Sequence, residues 1–205
     1  MRSVTETAEG GKRMVILRAA EKVFAQDGYH GTTMRRIAAE ADVKLSLVVY
    51  HYTSKLALFV AIFEHRQYVN EARLTQLRAI PDLSAADAVE QIVRAFVDPV
   101  LALHNDPEDA WFAKLVLREA GDPSNQDRPV LKVLFDPMAR EFVDAFREAL
   151  PGKPDGFYQW AYLFSVGALT QSASEDRVRN LTEKTFLEQK HDLLRSYITA
   201  ALRYG

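Results

Sequence analysis

The chain has 205 residues, 48% of them apolar and 26% charged, which is the composition of a folded globular protein rather than a disordered or fibrous one. It contains no cysteine, which excludes disulfides, thiolate metal sites and cysteine nucleophiles. The formal net charge is -2, yet residues 1–55 carry nine basic and six acidic side chains, so this segment is positive and the remainder is acidic.

The N-terminal residues predict an arm followed by a helix. Residues 1–11 are polar, show no periodicity and end in a Gly-Gly pair, which predicts a disordered arm. From Lys12 to Gln26 apolar side chains recur every three or four residues, the spacing of an amphipathic helix. Asp27 and Gly28 then predict its end, because glycine adopts the left-handed conformation that closes helices.

Two short helices are predicted next. Thr32 or Thr33 can cap a helix that runs to Ala41, and a tight turn leads to a third helix over Leu45–Tyr52. Such a pair forms a helix-turn-helix, which places its second helix in the major groove of DNA. Any all-α protein contains pairs of short helices, so periodicity alone does not establish the motif.

Helical periodicity continues to the C terminus. Few runs alternate with period two, so the sequence predicts an all-α protein of about nine helices. Pro81 predicts the end of the helix that starts at Lys55, and Pro99 a kink or break in the next one. The predicted domains are a head over 12–55 and an antiparallel helical body over 56–205. The predicted body helices are 55–79, 84–103, 108–120, 128–150, 157–174 and 182–204.

The residues around the helix-turn-helix follow an ordered pattern. From Ile16 it reads I-L-x-A-A-x-x-x-F-x-x-x-G-Y-x-x-T-T-x-x-x-I-A-x-x-A-x-V, and from Tyr50 it continues Y-H-Y-x-S-K-x-x-L. This stretch, roughly residues 12–60, resembles the DNA-binding segment of the TetR family of repressors. The resemblance implies a homodimer that binds a palindromic operator through its heads and is released when a small-molecule effector binds the helical body.

Four residues depart from the family pattern. Asp42 stands where a turn glycine is usual, but aspartate tolerates the left-handed conformation, so the turn is expected to form. Ser46 replaces a common glycine, Val49 replaces a common tyrosine that touches the DNA backbone, and Leu56 stands where an acidic residue is usual. These departures bear on the contact pattern rather than on the fold.

Several side chains are expected to contact phosphate. Thr33 can cap the second helix and present its hydroxyl to a phosphate. Arg35 and Arg36 can reach a phosphate or a guanine edge, which arginine reads more often than any other residue. The resemblance adds the family's phosphate-contacting cluster at the end of the third helix: Tyr50, His51 and Lys55.

The outer face of the third helix is expected to read bases. Its side chains can hydrogen-bond base edges or contact a thymine methyl group. The polar candidates are Lys44 and Ser46, and the apolar candidates are Leu45, Leu47 and Val49. Val48 and Tyr52 are expected in the core of the head. For each candidate contact, a solvated or packing role is the alternative.

The last two long helices are candidates for a dimer interface. Residues 157–169 are apolar nearly all round, and the final helix carries a wide apolar stripe, which together exceed what one core needs. In the family, these helices pair with their counterparts across a two-fold axis. An ordinary intrachain core is the alternative. The expected interface residues are Phe164, Ala168, Leu187, Leu194, Tyr197 and Ile198.

Aromatic residues of the middle helices are candidates for an effector pocket. An apolar cavity with a few polar groups is typical of a ligand site, although plain core packing is the alternative. The candidate lining residues are Trp111, Phe112, Leu115, Phe135, Trp160 and Phe164, with His104, Arg118 or Glu119 as polar groups. An effector is expected to favour a state whose heads are mis-spaced for the operator.

No catalytic or metal motif is present in the sequence. The five histidines are scattered, and no HExxH, GxSxG, P-loop or dinucleotide fingerprint occurs. We therefore predict no enzymatic activity, no cofactor and no metal. The alternative function is a helical interaction module that has lost specific DNA binding. With no long apolar run and no signal-peptide pattern, the chain is expected to be cytoplasmic.

Overall fold

The structure, a computed structural model, describes residues 4–103, 109–173, 175–182 and 187–205. Within these ranges it contains twelve α-helices, one 3-10 helix and no strand, which confirms the predicted all-α class. The helices are α1 Val4–Gly31, α2 Met34–Glu40, α3 Leu45–His51, α4 Lys55–His65, α5 Gln67–Arg78, α6 Ala88–Leu103, α7 Ala110–Ala120, the 3-10 helix Pro123–Asp127, α8 Val130–Leu134, α9 Asp136–Ala149, α10 Phe157–Gln171, α11 Glu175–Thr182 and α12 Leu187–Tyr204.

The helix count exceeds nine because two predicted helices are broken and α11 was not predicted. The predicted helix over 55–79 is α4 and α5, which separate at Arg66. The predicted helix over 128–150 is α8 and α9, and Pro137 lies in the first turn of α9, where its missing N–H is tolerated. Pro99, by contrast, lies inside α6, and the helix continues to Leu103.

The first helix differs from its predicted bounds at its start. It begins at Val4, whereas the sequence predicted a disordered arm over 1–11, and residues 1–3 lie outside the described residues. Gly10 and Gly11 cost about 1 kcal/mol each relative to alanine, which weakens a helix without forbidding it. At the other end Gly28 has a φ of 74° and interrupts the helix where the sequence predicted its end.

Met1–Gln67 and Pro107–Leu131 form one compact unit, here called the head. Its core is built by apolar side chains of α1, α2, α3, α4 and α7. Aromatic rings join these helices: Phe24 and Phe59 lie 4.9 Å apart between centroids, and Phe63 and Phe112 lie 5.6 Å apart. The head is larger than the predicted 12–55 segment, since it takes in α4 and α7.

Tyr68–Asp106 and Lys132–Gly205 form the second unit, here called the body. Its core is a cluster of buried side chains from α5, α6, α9, α10 and α12. Phe96 and Phe142 meet edge to face at its centre, with 5.3 Å between ring centroids. At the edge of the core, Arg203 pairs with Glu90, and Arg195 pairs with Asp98 at 2.7 Å.

In the described ranges, no single helix has both the length and the apolar composition needed to cross a bilayer. One pair of segments, α3 and Lys55–Arg78, has that length and composition when the two are taken together, but the pair is bent by 63°. Nor do the described histidine, aspartate and glutamate side chains form a group of three that could hold a metal ion.

Candidate nucleic-acid interface

A tight turn joins α2 to α3. α2 ends at Glu40, and Asp42 has a φ of 51°, the one positive value among the described residues other than glycine. The Val43 N–H then donates to the Ala38 carbonyl at 3.0 Å. Aspartate tolerates this left-handed conformation, so the prediction that the turn forms with Asp42 in it is confirmed. The connection has the length and geometry of a helix-turn-helix.

Thr33 caps the N terminus of α2. Its backbone is extended, and its Oγ1 accepts a hydrogen bond from the Arg36 N–H at 3.1 Å. Thr32, the alternative cap, is buried, and its hydroxyl donates to the Gly28 carbonyl at 2.7 Å. The cap prediction for Thr33 is therefore confirmed, and its side chain is exposed at the start of α2.

The inner face of α3 packs into the head. Val48 is fully buried, and Tyr52, just beyond the helix, is nearly so. The Tyr52 hydroxyl donates to the Arg13 carbonyl at 3.5 Å, and the Arg13 guanidinium lies over the Tyr52 ring. Both residues lie where the sequence predicted. Because these contacts fix α3 by one face, the opposite face is turned to solvent.

That outer face carries the predicted base-reading residues. Leu47 is half-buried, and the other members are exposed. The exposed members are Lys44, Leu45, Ser46 and Val49, and Tyr50, a predicted phosphate contact, is exposed as well. The face therefore combines one cation, two hydroxyl groups and aliphatic side chains, which are the groups that contact phosphates, base edges and thymine methyl groups.

The cations of the motif differ in their partners. Arg36 Nη1 donates to Glu40 Oε2 at 3.1 Å, and Lys22 Nζ lies 2.5 Å from Oε1 of the same carboxylate. The Lys22 hydrogen bond, with help from Arg36, lowers the pKa of Glu40, which keeps this carboxylate ionised. Arg35 and Lys44, in contrast, are exposed, and their side chains form no hydrogen bond or ion pair with any described residue.

Two predicted phosphate contacts place side-chain nitrogens within the head. Lys55 Nζ donates to the carbonyls of Tyr29 and Thr32, at 2.9 and 3.1 Å, and lies 4.4 Å from the Tyr29 ring centroid. His51 buries its Nε2, which has no hydrogen-bond partner among the described residues. Lys55 thus satisfies carbonyls where α1 ends, and the buried Nε2 of His51 is not presented to solvent.

One buried charge cluster of the head was missed by the sequence analysis. Arg66 donates through Nε and Nη2 to both oxygens of Glu21, at 3.0 and 2.8 Å, and through Nη1 to Asp109 at 2.7 Å. Burial raises the pKa of Glu21, while Arg66 opposes this shift. A signal was present, because Glu21 shares a helix face with Leu17 and Phe24, where a carboxylate requires a partner.

A second cluster surrounds Arg128. Its Nε and Nη2 donate to the two oxygens of Glu119, at 3.1 and 2.9 Å, and Nη2 also donates to Asp122 at 2.7 Å. The guanidinium lies 4.5 Å from the Tyr29 ring centroid. Hydrogen bonds from the Ser124 hydroxyl and N–H, followed by Arg128, lower the pKa of Asp122 to about 2. Glu119, a predicted pocket group, is therefore a structural partner here.

Four further predicted pocket residues also belong to the head. Phe112 and Leu115 are buried in its core. Trp111 is half-buried, with the Lys114 ammonium 4.7 Å from its ring centroid. The Arg118 guanidinium donates to the carbonyl of Gln26, at 2.8 Å, and so caps the end of the α1 helix. The head uses these side chains for packing and capping.

The remaining predicted pocket residues belong to the body or lie outside the described ranges. Phe135 is partly buried against the body core. Trp160 and Phe164 are exposed on α10, with their rings 5.6 Å apart between centroids. His104 and the side chain of Leu187, a predicted interface residue, lie outside the described residues. The predicted lining residues are thus divided between the two units.

An exposed apolar face runs along α10 and α12. Its exposed side chains are Trp160, Leu163, Phe164, Leu193 and Tyr197. A cavity of about 710 Å³ opens on it. Among the predicted interface residues, Phe164 and Tyr197 are each 68% exposed, and Ala168 is half-buried. Leu194 and Ile198 belong to the body core, so they support the face from beneath.

Two family models match the chain. Residues 16–62 match the family described as bacterial regulatory proteins, tetR family. Residues 94–202 match the family described as tetracyclin repressor-like, C-terminal domain. The first match contains the helix-turn-helix, and the second covers more than half of the chain.

Curated relatives are transcriptional regulators. The HTH-type transcriptional regulator SrpR of Pseudomonas putida is 30% identical over 112 residues, which are 55% of this chain and 48% of SrpR. RutR of Escherichia coli K12, also an HTH-type transcriptional regulator, is 32% identical over 88 residues, 42% of this chain and 40% of RutR. The matches thus span about half the length of these relatives.

Solved structures share the fold. A tetR family transcription regulator from Shewanella sp. PV-4 has a TM-score of 0.63 at 18% identity and covers 93% of this chain and 97% of its own. FadR from Bacillus subtilis, solved in complex with stearoyl-CoA, has a TM-score of 0.64 at 14% identity. The match covers 92% of this chain and 98% of the FadR chain. At such identities the likeness describes the fold alone.

Proposed function

The chain belongs to the TetR family of bacterial transcriptional regulators, and we propose that it is a repressor that binds a palindromic operator as a homodimer. The outer face of α3 carries this proposal. It is exposed, lies within the segment matched to the tetR family, and begins with Lys44, a cation without a partner among the described residues. Arg35, at the start of α2, is a second such cation.

The exposed side chains divide into positioning and reading groups. Thr33 and Tyr50 present hydroxyl groups suited to phosphate oxygens, and Arg35 suits either a phosphate or a guanine edge. Lys44 and Ser46 are the hydrogen-bonding candidates for bases. Leu45 and Val49 offer aliphatic surface for thymine methyl groups, and half-buried Leu47 contributes least.

Three further cations of the motif have a supporting role in this proposal. Lys55 satisfies two backbone carbonyls, and Arg36 with Lys22 holds the Glu40 carboxylate. A side chain engaged in this way has to give up these contacts before it can neutralise a phosphate. We therefore assign the phosphate charge to Arg35 and Lys44.

The dimer is assigned to the apolar face of α10 and α12. A continuous apolar patch of this kind on a protein surface marks an interaction site, and a second copy of the chain covers it with an equally apolar surface. Two-fold symmetry then relates two α3 helices. For a helix-turn-helix dimer, the two half-sites lie about 34 to 36 Å apart, one turn of DNA.

Release by an effector follows from a difference in affinity between two conformations. A small molecule that binds the body more tightly when the heads are mis-spaced lowers operator affinity by that difference. Two proteins of the same fold were solved with small molecules, FadR with stearoyl-CoA and SmeT with triclosan. These neighbours support a body that holds a ligand, without naming the one used here.

Protection mapping on the DNA that flanks the protein's own gene tests this function. We expect two protected half-sites one helical turn apart, and tighter binding than to a random fragment of equal length at physiological salt. We expect Arg35→Ala to weaken this binding. The matched control is Arg140→Ala, which removes an exposed arginine of the body and is expected to leave the binding unchanged. Equal affinity for both fragments, with no effect of Arg35→Ala, would instead support a helical interaction module.

A further inference from the structure

The body buries an arginine in its aromatic core. Arg73, in α5, is 5% exposed, and its guanidinium carbon lies 4.3 Å from the ring centroid of Phe96 and 5.4 Å from that of Phe142. Asn70 is buried one helical turn earlier on the same face of α5. Tyr162 contacts the Phe96 ring from α10, with 5.6 Å between centroids. We call these five side chains the Arg73 site.

Two nitrogens of this guanidinium lack an acceptor. Nε and Nη2 are both buried, and neither donates a hydrogen bond to any residue that the structure describes. No described carboxylate affects the pKa of Arg73. Nε and Nη2 therefore form a pair of adjacent hydrogen-bond donors within an apolar core.

The charge persists despite its surroundings. Burial lowers the pKa of Arg73 to about 10, so the guanidinium is still protonated at neutral pH. The two phenylalanine faces attract the cation, yet rings accept no N–H bond in the guanidinium plane. Two buried guanidinium nitrogens without acceptors are costly, and an unsatisfied group of this kind calls for an explanation such as a bound ion.

The head shows which partner fits these donors. Arg66 uses Nε and Nη2 to bind both oxygens of Glu21, and Arg128 uses the same two nitrogens for Glu119. This paired arrangement matches the two oxygens of a planar carboxylate, and it is also formed with phosphate. Arg73 has the same two donors, both buried and without a described acceptor, and its guanidinium carbon lies near the rings of Phe96 and Phe142.

From this geometry we infer that the Arg73 site binds the carboxylate of a small and otherwise apolar effector. The inference rests on the proposed function, because it names the class of molecule that releases the regulator from DNA. Nε and Nη2 donate to the two carboxylate oxygens, and the rings of Phe96 and Phe142 surround the apolar part. Burial raises the pKa of Tyr162, so its hydroxyl keeps the proton that it can donate.

One monoanion matches the charge of the site. Among the described residues of the body, the buried polar side chains are Asn70, Arg73 and Ser165, so Arg73 is the one buried cation there. A carboxylate neutralises it, whereas a doubly charged phosphate leaves a negative charge in the core. The apolar lining excludes highly hydrated anions for the same reason.

Matched pairs of acids and amides test the class of ligand on the full chain. The probes are benzoate with benzamide, phenylacetate with phenylacetamide, and octanoate with octanamide, with binding followed by calorimetry. We expect at least one carboxylate to bind at least about tenfold more tightly than its amide, because only the anion forms charge-assisted hydrogen bonds. Equal binding within every pair, or no carboxylate binding below about 1 mM, overturns the inference.

Two substitutions locate the binding. Arg73→Met removes the charge while keeping an unbranched apolar side chain, so the acid-over-amide preference is lost. Without ligand, the melting temperature of this variant stays equal to that of the natural chain or rises, because an unpaired buried charge has been removed. Arg73→Lys retains part of the preference, and Arg140→Met, on the exposed surface of α9, leaves it unchanged. If the acid-over-amide preference survives in Arg73→Met, the assignment is wrong. It is also wrong if ligand-free Arg73→Met melts at a lower temperature than the natural chain, because Arg73 then has a stabilising partner within the protein.

Operator release separates this inference from the proposed function. We expect the carboxylate that binds best to dissociate the natural protein from its operator. For Arg73→Met, we expect the same carboxylate to leave operator affinity equal to the affinity of that variant without ligand. If the protein binds its operator but no carboxylate binds, the effector class is wrong and the regulator stands. If a carboxylate binds at Arg73 but no DNA is bound specifically, the proposed function is wrong and the anion site stands.

Discussion

The head and the body treat buried arginines in opposite ways. In the head, Arg66 and Arg128 each hold a carboxylate with two parallel hydrogen bonds. In the body, Arg73 is buried to a similar degree but lies between phenylalanine rings, and Nε and Nη2 are unpaired among the described residues. The head therefore contains its own counter-ions, which suits a rigid DNA-binding unit. The body, in contrast, is suited to bind a counter-ion that is not part of the chain.

Removing Arg128 is expected to have the largest effect. Arg128→Met leaves the Glu119 carboxylate buried without its partner, which costs about 3 to 5 kcal/mol of unfolding free energy. Urea unfolding measures the loss. The double variant Arg128→Met/Glu119→Leu recovers much of it because no uncompensated charge remains. If Arg128→Met were as neutral as we expect Arg73→Met to be, the contrast between head and body would be wrong.

Lys55 offers a smaller test of the same contrast. Lys55→Met removes two hydrogen bonds from a cation to the carbonyls of Tyr29 and Thr32, which lowers stability by about 1.5 kcal/mol. Lys132→Met, an exposed lysine of the body without a described partner, is the matched control. We expect the salt dependence of operator binding by Lys55→Met to match that of the natural chain. A shallower salt dependence would restore Lys55 to the phosphate contacts that the sequence predicted.

The smallest expected effect concerns acid. The folded-state pKa of Asp122 is about 2, below its ordinary 3.8, so its contribution to stability is complete above pH 4 and is lost as the pH falls toward 2. Asp122→Asn lacks this contribution at every pH. Unfolding of both proteins between pH 6 and pH 3 is therefore expected to show a stability difference that shrinks below pH 4. A difference independent of pH would contradict the Asp122 pairing.

Local features of the helix-turn-helix could be predicted from the sequence. The N-cap at Thr33, the left-handed residue at Asp42 and the helix break at Gly28 each depend on backbone conformation within a few residues. The inward positions of Val48 and Tyr52 follow from helical periodicity in the same way. These features were predicted correctly because their causes are short in range.

Partners distant in the chain could not be predicted. Lys55 bonds carbonyls 23 and 26 residues away, and Arg118 bonds a carbonyl 92 residues away. Helical periodicity does not report such pairs, so the sequence predicted a phosphate contact for Lys55 and a pocket role for Arg118 but neither of these hydrogen bonds. Arg73 gave no signal either, because an arginine in a mostly polar helix is typical of a solvated face. Trp160, predicted to line a pocket, is exposed and lines the cavity on the face proposed for the dimer.

The salt dependence of operator binding tests the central claim most directly. Each phosphate contact contributes about 0.9 to the slope of log affinity against log salt concentration. If Arg35 and Lys44 each neutralise one phosphate in both protomers, the variant Arg35→Ala/Lys44→Ala has a slope shallower by about 3.6. The matched body variant Arg140→Ala/Lys132→Ala retains the natural slope. Equal slopes in all three proteins would contradict a DNA-binding surface built on α2 and α3.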